Sequence, residues 1–434
     1  MPSLALATLL PLALVSTTAL AAPHRSAPPA VVRLVGRAPT SSDLTLDQLH
    51  ERRLDSFARL ANVVKRGVKV PSSTQKRGGA VIVPLELDYD QYNALDAHAA
   101  EVSIGGQILP VLFDTGSPDL VVPVDCKSGC ANGFLNTTAS PTFVSQGGDV
   151  SVAYGTGSAT GYIADDTVRV AGLTVKKQVF AAATELSTAG GENWSAIFGL
   201  APGGGAYTGG PSFIQRLIQQ GSLAGPIFSM SLKSPKPEIV FGGIDRSQLG
   251  AAPVTVQNFG APSGIWLAGI GSTTVDKNVV DGSVSYALVD SGSTFSAMPR
   301  SAAAAVYAAT NGTLWKTQRM AVSGIEADVD IYTVPCEPSA DVGRVGFNFL
   351  GSSRPEPVSM SAQSNVLEYA DDEASDRCYG ALYGADVELA PGSGMNGALL
   401  GMPFLKSVLA VFEFDDSANG VKMAFSGVKV PRQA

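Results

Sequence analysis

Histidine is scarce in this chain of 434 residues, which contains only His24, His50 and His98. A histidine-rich metal centre needs several such side chains, and a serine or cysteine nucleophile needs a histidine base. If the N-terminal segment is removed, as argued below, only His98 is left in the mature chain. We therefore expect no metal site and no cofactor, and we look for chemistry that carboxylates perform by themselves.

Charged and aromatic residues are also few, at 16% and 7%, whereas 45% of the residues are hydrophobic. That composition excludes a disordered acidic protein, which would be poor in apolar residues. The length is enough for two domains, because a single core stops growing near roughly 250–300 residues. The 47 glycines and 27 prolines favour many turns and short strands over long helices.

Long apolar runs are limited to the N-terminus, MPSLALATLLPLALVSTTALA. This run ends in a small-residue pattern, Ala19-Leu20-Ala21, which is typical of a signal peptide cleaved after residue 21. Pro11 and the Ser-Thr-Thr at 16–18 interrupt it, which disfavours a permanent anchor. The sequence therefore predicts a signal peptide at 1–21 and no stable membrane anchor.

The segment 22–77 differs from the rest of the chain in its charge. It carries 11 Lys/Arg against four Asp/Glu, whereas residues 78–434 carry 19 against 34. This contrast predicts a basic pro-segment that binds the acidic body as an intramolecular inhibitor and dissociates at low pH. A disordered linker trimmed by a processing enzyme is the alternative. The acidic body also argues against a nucleic-acid partner.

Two dibasic pairs mark candidate cleavage sites in that segment, Lys65-Arg66 and Lys76-Arg77. Each precedes a glycine and looks like a site for a kexin-type processing enzyme. We predict Gly78 as the first mature residue and Gly67 as the second choice.

Alternating apolar and polar residues predict a mainly β mature chain, for example at 100–114, 166–183 and 236–245. Helical patterns are short and occur at 212–220 and 300–309. Strands therefore dominate the predicted fold.

The chain contains an internal duplication. VLFDTGSP (111–118) matches ALVDSGST (287–294), and AIFGLAP (196–202) matches ALLGMPF (398–404). Repeats of this kind predict two homologous β-rich lobes related by a pseudo-twofold axis, with a cleft between them. We place the first lobe at 78–258 and the second at 259–434.

Each repeat supplies one aspartate, Asp114 or Asp290. A single Asp-Thr/Ser-Gly is weak evidence, since it also forms an ordinary β-turn. Two copies, each after an apolar strand and in matching places, indicate a paired site instead. Gly116 and Gly292 allow close backbone approach. Two adjacent carboxyl groups do not both ionise easily, so the pair is expected to share one proton in the acidic range.

Together these motifs resemble the pepsin-like aspartic endopeptidases, of the secreted fungal type. FDTGSPDLVVP (113–123) and VDSGST (289–294) look like the two active-site loops of that family, and SVAYGTGSATG (151–161) looks like its flap hairpin. IVFGGID (239–245) resembles the usual end of the first lobe. The resemblance covers nearly all of 78–434.

The resemblance implies a role for each matching residue. Asp114 and Asp290 would be the catalytic pair. The supporting loop residues would be Thr115, Gly116, Ser117, Ser291, Gly292 and Ser293, with Thr115 and Ser291 interlocking the loops and Ser117 and Ser293 orienting the carboxylates. The flap tip over the substrate would be Tyr154, Gly155 and Thr156.

Two positions depart from the family pattern. Val121 stands where the family commonly has a tryptophan that supports the flap tyrosine, so Tyr154 is expected to lack that partner. Met402 stands where the family often has an aspartate, which we expect to affect packing more than catalysis.

Four cysteines fall into two local pairs, Cys126 with Cys130 and Cys336 with Cys378. In a secreted chain this spacing favours two disulfides, with four buried thiols as the alternative. The pairs also look like the family's small-loop and second-lobe disulfides. Three N-glycosylation sequons begin at Asn136, Asn193 and Asn311.

The function implied is that of an acid endopeptidase acting on proteins or peptides in an extended conformation, with hydrophobic residues preferred around the cut. We expect a secreted monomer, with delivery to the vacuole as the second choice. A catalytically silent binding or inhibitor protein with the same fold is the alternative. Paired carboxylates also serve glycosidases, but the duplicated loops and the flap do not fit that use.

Overall fold

The computed structural model describes residues 76–77, 80–87, 98–128, 133–154, 157–188, 194–232, 237–260, 264–280, 284–322, 325–336, 343–352, 356–360, 366–369, 377–386, 397–415 and 420–427. The predicted signal peptide, nearly all of the predicted pro-segment and the predicted mature terminus at Gly78 lie outside these ranges. Within them, no helix is both long and apolar enough to cross a membrane.

Strands make up most of the described chain. In the first part they are β1 (Lys76–Arg77), β2 (Ala80–Pro84), β3 (Glu86–Leu87), β4 (His98–Ile104), β5 (Gln107–Asp114), β6 (Leu120–Ser128), β7 (Val144–Tyr154), β8 (Gly157–Val170), β9 (Leu173–Thr188), β10 (Ala196–Gly199), β11 (Ile227–Ser231), β12 (Glu238–Phe241) and β13 (Val254–Gln257). In the second part they are β14 (Leu267–Val275), β15 (Asn278–Val280), β16 (Tyr286–Val289), β17 (Ser296–Met298), β18 (Thr313–Val322), β19 (Ile325–Pro335), β20 (Val345–Phe349), β21 (Val358–Ser359), β22 (Val366–Tyr369), β23 (Arg377–Gly380), β24 (Leu382–Ala385), β25 (Gly397–Leu400), β26 (Val408–Phe414) and β27 (Gly420–Gly427).

Among the described residues there are three short α-helices: α1 (Phe213–Gln219), α2 (Arg300–Ala309) and α3 (Met402–Leu405). The start of α1 is fixed by a capping box, in which Ser212 and Gln215 each accept a hydrogen bond from the other's backbone N–H. The helices α1 and α2 match the predicted helical patterns at 212–220 and 300–309. Met402, as expected from its apolar side chain, is buried in α3.

An eight-stranded sheet holds most of the first half, in the order β3-β4-β5-β10-β6-β9-β8-β7. The strand β5 lies parallel to β10, with Asp114 opposite Gly199. The strand β10 runs antiparallel to β6, with Ile197 opposite Val121. The last four residues of β5 are all buried because the strand lies inside the sheet and is covered on both faces.

A twelve-stranded sheet in the second half repeats this arrangement. The strand β16 lies parallel to β25, with Val289 opposite Leu400. The strand β25 runs antiparallel to β17, with Ala297 opposite Leu399. The two parallel pairs each end at one of the duplicated aspartates, as the sequence repeat predicted.

A seven-stranded sheet joins the two halves, in the order β1-β2-β12-β11-β26-β27-β13. At its centre Phe228 of β11 stacks on Phe412 of β26, with ring centroids 4.6 Å apart. The fully buried Trp266 packs against Phe412 at 5.0 Å and donates its indole N–H to the carbonyl of Leu200 at 3.1 Å. Each such buried aromatic side chain stabilises the fold by about 1.5–3 kcal/mol.

The expected fold class is therefore confirmed: the protein is mainly β and has the bilobal pepsin-like architecture. The aromatic core of the shared sheet is linked to Asp114 through Leu200, whose carbonyl accepts from Trp266 and whose N–H donates to the carbonyl of Asp114.

Candidate active site

Asp114 lies at the end of β5 and is fully buried. The apolar residues before it fill the core, where Phe113 packs against Phe198 with ring centroids 5.2 Å apart. The backbone carbonyl of Asp114 accepts a hydrogen bond from the N–H of Leu200 at 2.8 Å. Packing and backbone bonding therefore fix the position of this carboxyl group before any substrate binds.

The loop after Asp114 turns its donors towards the carboxylate. The N–H of Gly116 donates to Asp114 Oδ1 at 2.9 Å. The hydroxyl of Ser117 donates to Asp114 Oδ2 at 2.5 Å. The contact from Ser117 is the one that the family resemblance implied.

Asp290 occupies the matching place after β16 and is also fully buried. Its backbone N–H donates to the carbonyl of Leu400 at 3.0 Å, and the N–H of Gly292 donates to Asp290 Oδ1 at 2.8 Å. The hydroxyl of Ser293 donates to the carbonyl of Phe295 at 3.0 Å. The backbone N–H of Ser293 lies 3.4 Å from the carbonyl oxygen of Asp290.

Thr115 and Ser291 lock the two loops together in a reciprocal way. The N–H of Thr115 donates to Ser291 Oγ, and the N–H of Ser291 donates to Thr115 Oγ1, both at 2.9 Å. Each hydroxyl then donates to a backbone carbonyl of the opposite half: Thr115 to Val289 at 2.9 Å and Ser291 to Phe113 at 2.8 Å. Four buried hydrogen bonds thus connect segments 174 to 178 residues apart in sequence.

The two carboxyl groups lie close together because the glycines of each loop approach the aspartate of the other. A Cβ atom placed on Gly116 would lie 2.4 Å from Asp290 Cγ. A Cβ atom placed on Gly292 would lie 2.6 Å from Asp114 Oδ1 and 3.2 Å from Asp290 Oδ1. Asp114 Oδ1 and Asp290 Oδ1 are therefore at most 5.8 Å apart, the sum of the 2.6 and 3.2 Å distances.

This arrangement can hold one proton between two carboxyl groups. Two like charges at such a separation, both removed from water, repel strongly. A pair with one negative charge and one proton avoids that cost and presents a base beside an acid. Such a pair is suited to activating a water molecule.

Tyr154 lies at the end of β7, opposite Gly157 of β8, and is 8% exposed. Gly155 and Thr156, the other expected flap residues, lie outside the described residues. Tyr154 belongs to a small apolar cluster that we call the hairpin cluster. Its buried members are Val121, Val150, Val152, Tyr154, Ala159, Ala181, Ala183 and Ile197.

Val121, which stands where a tryptophan was expected, is a buried member of the hairpin cluster. Two aromatic side chains, Trp194 and Tyr207, pack against the same cluster from positions that the sequence reasoning did not single out. Neither has a local sequence signal, since Trp194 lies inside the sequon at Asn193 and Tyr207 lies among glycines.

A family model of eukaryotic aspartyl proteases matches residues 97–425. An aspartic protease from Phaffia rhodozyma is 31% identical over 326 residues, covering 74% of this chain and 74% of that protein. Mucorpepsin from Rhizomucor miehei is 28% identical over 81% of this chain and 82% of its own length. Gastricsin from Callithrix jacchus is 29% identical, over 65% and 72% respectively. The chain belongs to the eukaryotic aspartyl protease family.

The protein is therefore an aspartic-type endopeptidase, a hydrolase of the pepsin-like fungal type that its motifs resemble. Membership of the family implies that this aspartyl protease binds peptide substrates. The reciprocal contacts of its two loops are the structural counterpart of the repeated Asp-Thr/Ser-Gly motif.

The cysteines of this aspartyl protease lie outside the two short loops that carry the aspartates. Cys336 and Cys378 form a disulfide that links the end of β19 to β23. Cys126, in β6, is disulfide-bonded, and its expected partner Cys130 lies outside the described residues.

Two of the three sequons of the protease fall on described residues. Asn136 is exposed and caps a short 3-10 turn at Thr137–Ala139, with its side chain accepting from Thr138 N and Ala139 N. Asn311 is exposed just after α2. Asn193 lies outside the described residues.

Proposed function

We propose that the protein is a secreted, zymogen-derived acid endopeptidase in which Asp114 and Asp290 are the catalytic pair. The observation that carries the proposal is the reciprocal hydrogen bonding of Thr115 and Ser291, each donating an N–H to the other's hydroxyl at 2.9 Å. It holds two buried carboxyl groups beside each other. Such an arrangement costs folding free energy and is typical of functional sites.

The reaction uses the shared proton of the pair. The ionised carboxylate takes a proton from a bound water while the protonated carboxyl group donates its proton to the scissile carbonyl oxygen. The water oxygen bonds to the carbonyl carbon and gives a tetrahedral intermediate. The carboxyl group that received the water's proton then protonates the amide nitrogen, while the other carboxylate takes a proton from one hydroxyl of the intermediate. The C–N bond breaks, the products are a carboxylic acid and an amine, and the pair returns to its starting state. The enzyme forms no covalent bond to the substrate.

The neighbouring loop residues hold this pair in place. Gly116 and Gly292 each supply a backbone N–H to the carboxylate of their own loop, at 2.9 and 2.8 Å. Ser117 supplies a hydroxyl to Asp114. Ser293 is assigned the matching role beside Asp290, where it lies within the same turn. Orientation of reacting groups by such contacts is a large part of catalysis.

The substrate is proposed to be a protein segment in an extended conformation beneath the hairpin formed by β7 and β8. Extended peptides bind to such edges through main-chain hydrogen bonds. Tyr154, Gly155 and Thr156 would cover the substrate. The hairpin cluster beside Asp114, and an equivalent cluster beside Asp290 that contains Leu288, Ala297 and Leu399, support a preference for hydrophobic residues flanking the cut.

Maturation is proposed to remove residues 1–21 and then the basic segment 22–77, leaving catalytic lobes at 78–258 and 259–434. Lys76 and Arg77 form β1, which pairs with Val81 and Ala80 of β2 at the edge of the shared sheet. Before cleavage, the basic segment would inhibit the acidic body by electrostatic attraction, which weakens as carboxylates are protonated.

The protease is further proposed to be a monomer that follows the secretory route to the outside of the cell, with the vacuole as the second choice. Glycans at Asn136, Asn193 and Asn311 and the disulfides would be acquired on that route. The exposure of Asn136 and Asn311 supports their modification.

The test is hydrolysis of a denatured protein by the processed chain from acid to neutral pH, with and without pepstatin, an inhibitor of aspartic proteases. We expect activity that is greatest in acid, is blocked by pepstatin and is absent from Asp290→Asn. No hydrolysis by folded, processed protein would overturn the proposal in favour of a silent binding protein. Activity that persists in a correctly folded Asp290→Asn variant would overturn the assignment of Asp114 and Asp290 as the catalytic pair.

A further inference from the structure

A glycine-rich loop that follows β10 is tied to the first catalytic loop. The segment starts with the N–H groups of Gly199, Leu200 and Ala201, which donate to backbone carbonyls of Asp119, Asp114 and Ser117 at 2.8 to 3.0 Å. It continues as PGGGAYTGG (202–210) before α1 begins. Such a sequence has few side chains of its own with which to fix a conformation.

Asp119 supplies the fixing contact for this loop. The residue lies five positions after Asp114 and is 3% exposed. Its carboxylate accepts hydrogen bonds from the N–H of Tyr207 at 2.8 Å, from the N–H of Thr208 at 3.1 Å and from the hydroxyl of Thr208 at 2.7 Å. Hydrogen bonds to a carboxylate oxygen are among the stronger ones in proteins. The backbone of Tyr207 is therefore held in a fixed relation to the loop that carries Asp114.

The side chain of Tyr207 packs against the hairpin cluster, which contains both Val121 and Tyr154. Val121 is much smaller than an aromatic residue, so the wall of this cluster depends more on the side chains at its border. Those border side chains are Ile163, Leu186, Trp194 and Tyr207. Tyr207 is the one among them whose backbone is bonded directly to Asp119.

We propose that Asp119 and Tyr207 are positioning residues that set the resting position of Tyr154 and, through it, which side chain the protease accepts next to the cut. Asp119 fixes the loop, Tyr207 supports the hairpin cluster, and the cluster supports Tyr154. The effect on preference rests on the proposed peptidase function, whereas the effect on the hairpin is a property of the free protein.

The kinetic test compares Tyr207→Ala and Tyr207→Phe on two peptides that differ only in a Phe or Ala before the cut. Loss of the ring should change the ratio of kcat/KM for the two peptides by about 5- to 20-fold, mainly through KM, since such pocket contacts discriminate by this order. Tyr207→Phe should stay within about twofold of wild type, because the ring and not the hydroxyl supports the cluster. Phe143→Ala is the control, since Phe143 is also a half-buried ring but packs against the main core; it should leave the ratio unchanged.

A second measurement does not depend on activity. Hydrogen exchange of the amides of 150–154 should be faster in Tyr207→Ala and Asp119→Ala than in wild type or Phe143→Ala. Asp119→Asn should fall between, because its amide group cannot accept all three hydrogen bonds. If Asp119→Ala does not fold, Tyr207→Ala still decides the question.

The outcomes separate the two proposals. If wild-type protein cleaves neither peptide, the proposed function fails, and the exchange rates still decide whether Asp119 and Tyr207 position the hairpin. If wild type cleaves both and Tyr207→Ala matches Phe143→Ala in preference ratio and in exchange, the positioning proposal is wrong.

Discussion

The two aspartates lie in loops joined by reciprocal hydrogen bonds, but the apolar clusters next to them differ in composition. Beside Asp114, Val121 belongs to a cluster bordered by Trp194 and Tyr207. Beside Asp290, the matching position is Ala297, in a cluster bordered by Trp315 and Tyr383. The loops between them exchange the same N–H to hydroxyl bonds at the same 2.9 Å. The two halves share the reciprocal bonds of Thr115 and Ser291 and differ in the side chains of the neighbouring clusters.

The largest effects on activity are expected where each loop touches the other half's aspartate. Gly116→Ala and Gly292→Ala would each place a methyl group within 2.4 to 2.6 Å of the opposite carboxyl group. We expect each to lower kcat/KM by roughly 10²-fold or more, since displacement of a reacting group by about 1 Å has an effect of that order. Steady-state hydrolysis at acid pH measures it.

Gly225→Ala is the matched control for that pair. A Cβ atom there would meet only the carbonyl of Gly242, at an ordinary 3.6 Å. Equal losses in all three variants would show that the aspartate contacts are not the cause.

Loss of either hydroxyl from the reciprocal Thr115–Ser291 hydrogen bonds should lower stability by a similar amount. Thr115→Val and Ser291→Ala each leave a buried N–H and a buried carbonyl of the opposite half without their hydroxyl partner, at a cost of about 2–4 kcal/mol in unfolding free energy. The double variant should lose less than the sum, because the two hydroxyls belong to one network. Urea unfolding measures all three. Additive losses would mean that the two loops are held independently.

Val121→Trp tests the difference between the apolar clusters next to the two aspartates. The sequence alone predicts that this change alters KM or cleavage preference more than stability. The burial of Val121, at 1% exposure between Ile197 and Ala181, adds an overpacking cost of about 1–3 kcal/mol. Thermal unfolding together with KM for one peptide checks both effects. An unchanged KM would mean that Tyr154 does not use this position.

An ion pair that anchors α2 in the second half should give the smallest effect. Arg300 binds Asp330 through two hydrogen bonds of 2.8 Å, and Thr317 adds a third of 2.6 Å. Burial alone would raise the pKa of Asp330, but the hydrogen bonds from Arg300 and Thr317 and the charge of Arg300 lower it below its ordinary value. The resulting stability is present above the unfolded-state pKa, about 3.9, and is lost as the pH falls through the lower folded-state pKa.

Asp330→Asn should therefore be less stable than wild type by about 1–2 kcal/mol near pH 6, and the difference should shrink in strong acid. Asp328→Asn is the control, because its pair with Arg319 is exposed on both sides and should contribute about 0–1 kcal/mol. Urea unfolding at several pH values measures both variants. A difference for Asp330→Asn that grows in acid would contradict the assigned pKa direction.

The sequence was sufficient for the features that repeat. Asp114 and Asp290 and their glycines lie in short motifs whose local pattern predicts the turn, and the family resemblance implied the interlocking of Thr115 and Ser291. The mainly β fold followed from alternation and glycine content, and the limits of α1 and α2 agreed with their apolar patterns to within a residue at each end.

The features that do not repeat were missed because they depend on contacts between distant segments. Asp119 and Tyr207 are 88 residues apart, and no local pattern pairs them. Tyr207 stands among glycines, where a loop is the ordinary expectation.

The central claim is that two halves each supply one carboxyl group and that the two act as a unit. The most direct test compares the acid hydrolysis rates of wild type, Asp114→Asn, Asp290→Asn and the double variant, with thermal unfolding to confirm that all four are folded. The account predicts that each single variant loses roughly 10³-fold or more and that the double variant is no worse, because groups that act together are not additive. A folded single variant with substantial activity would contradict it.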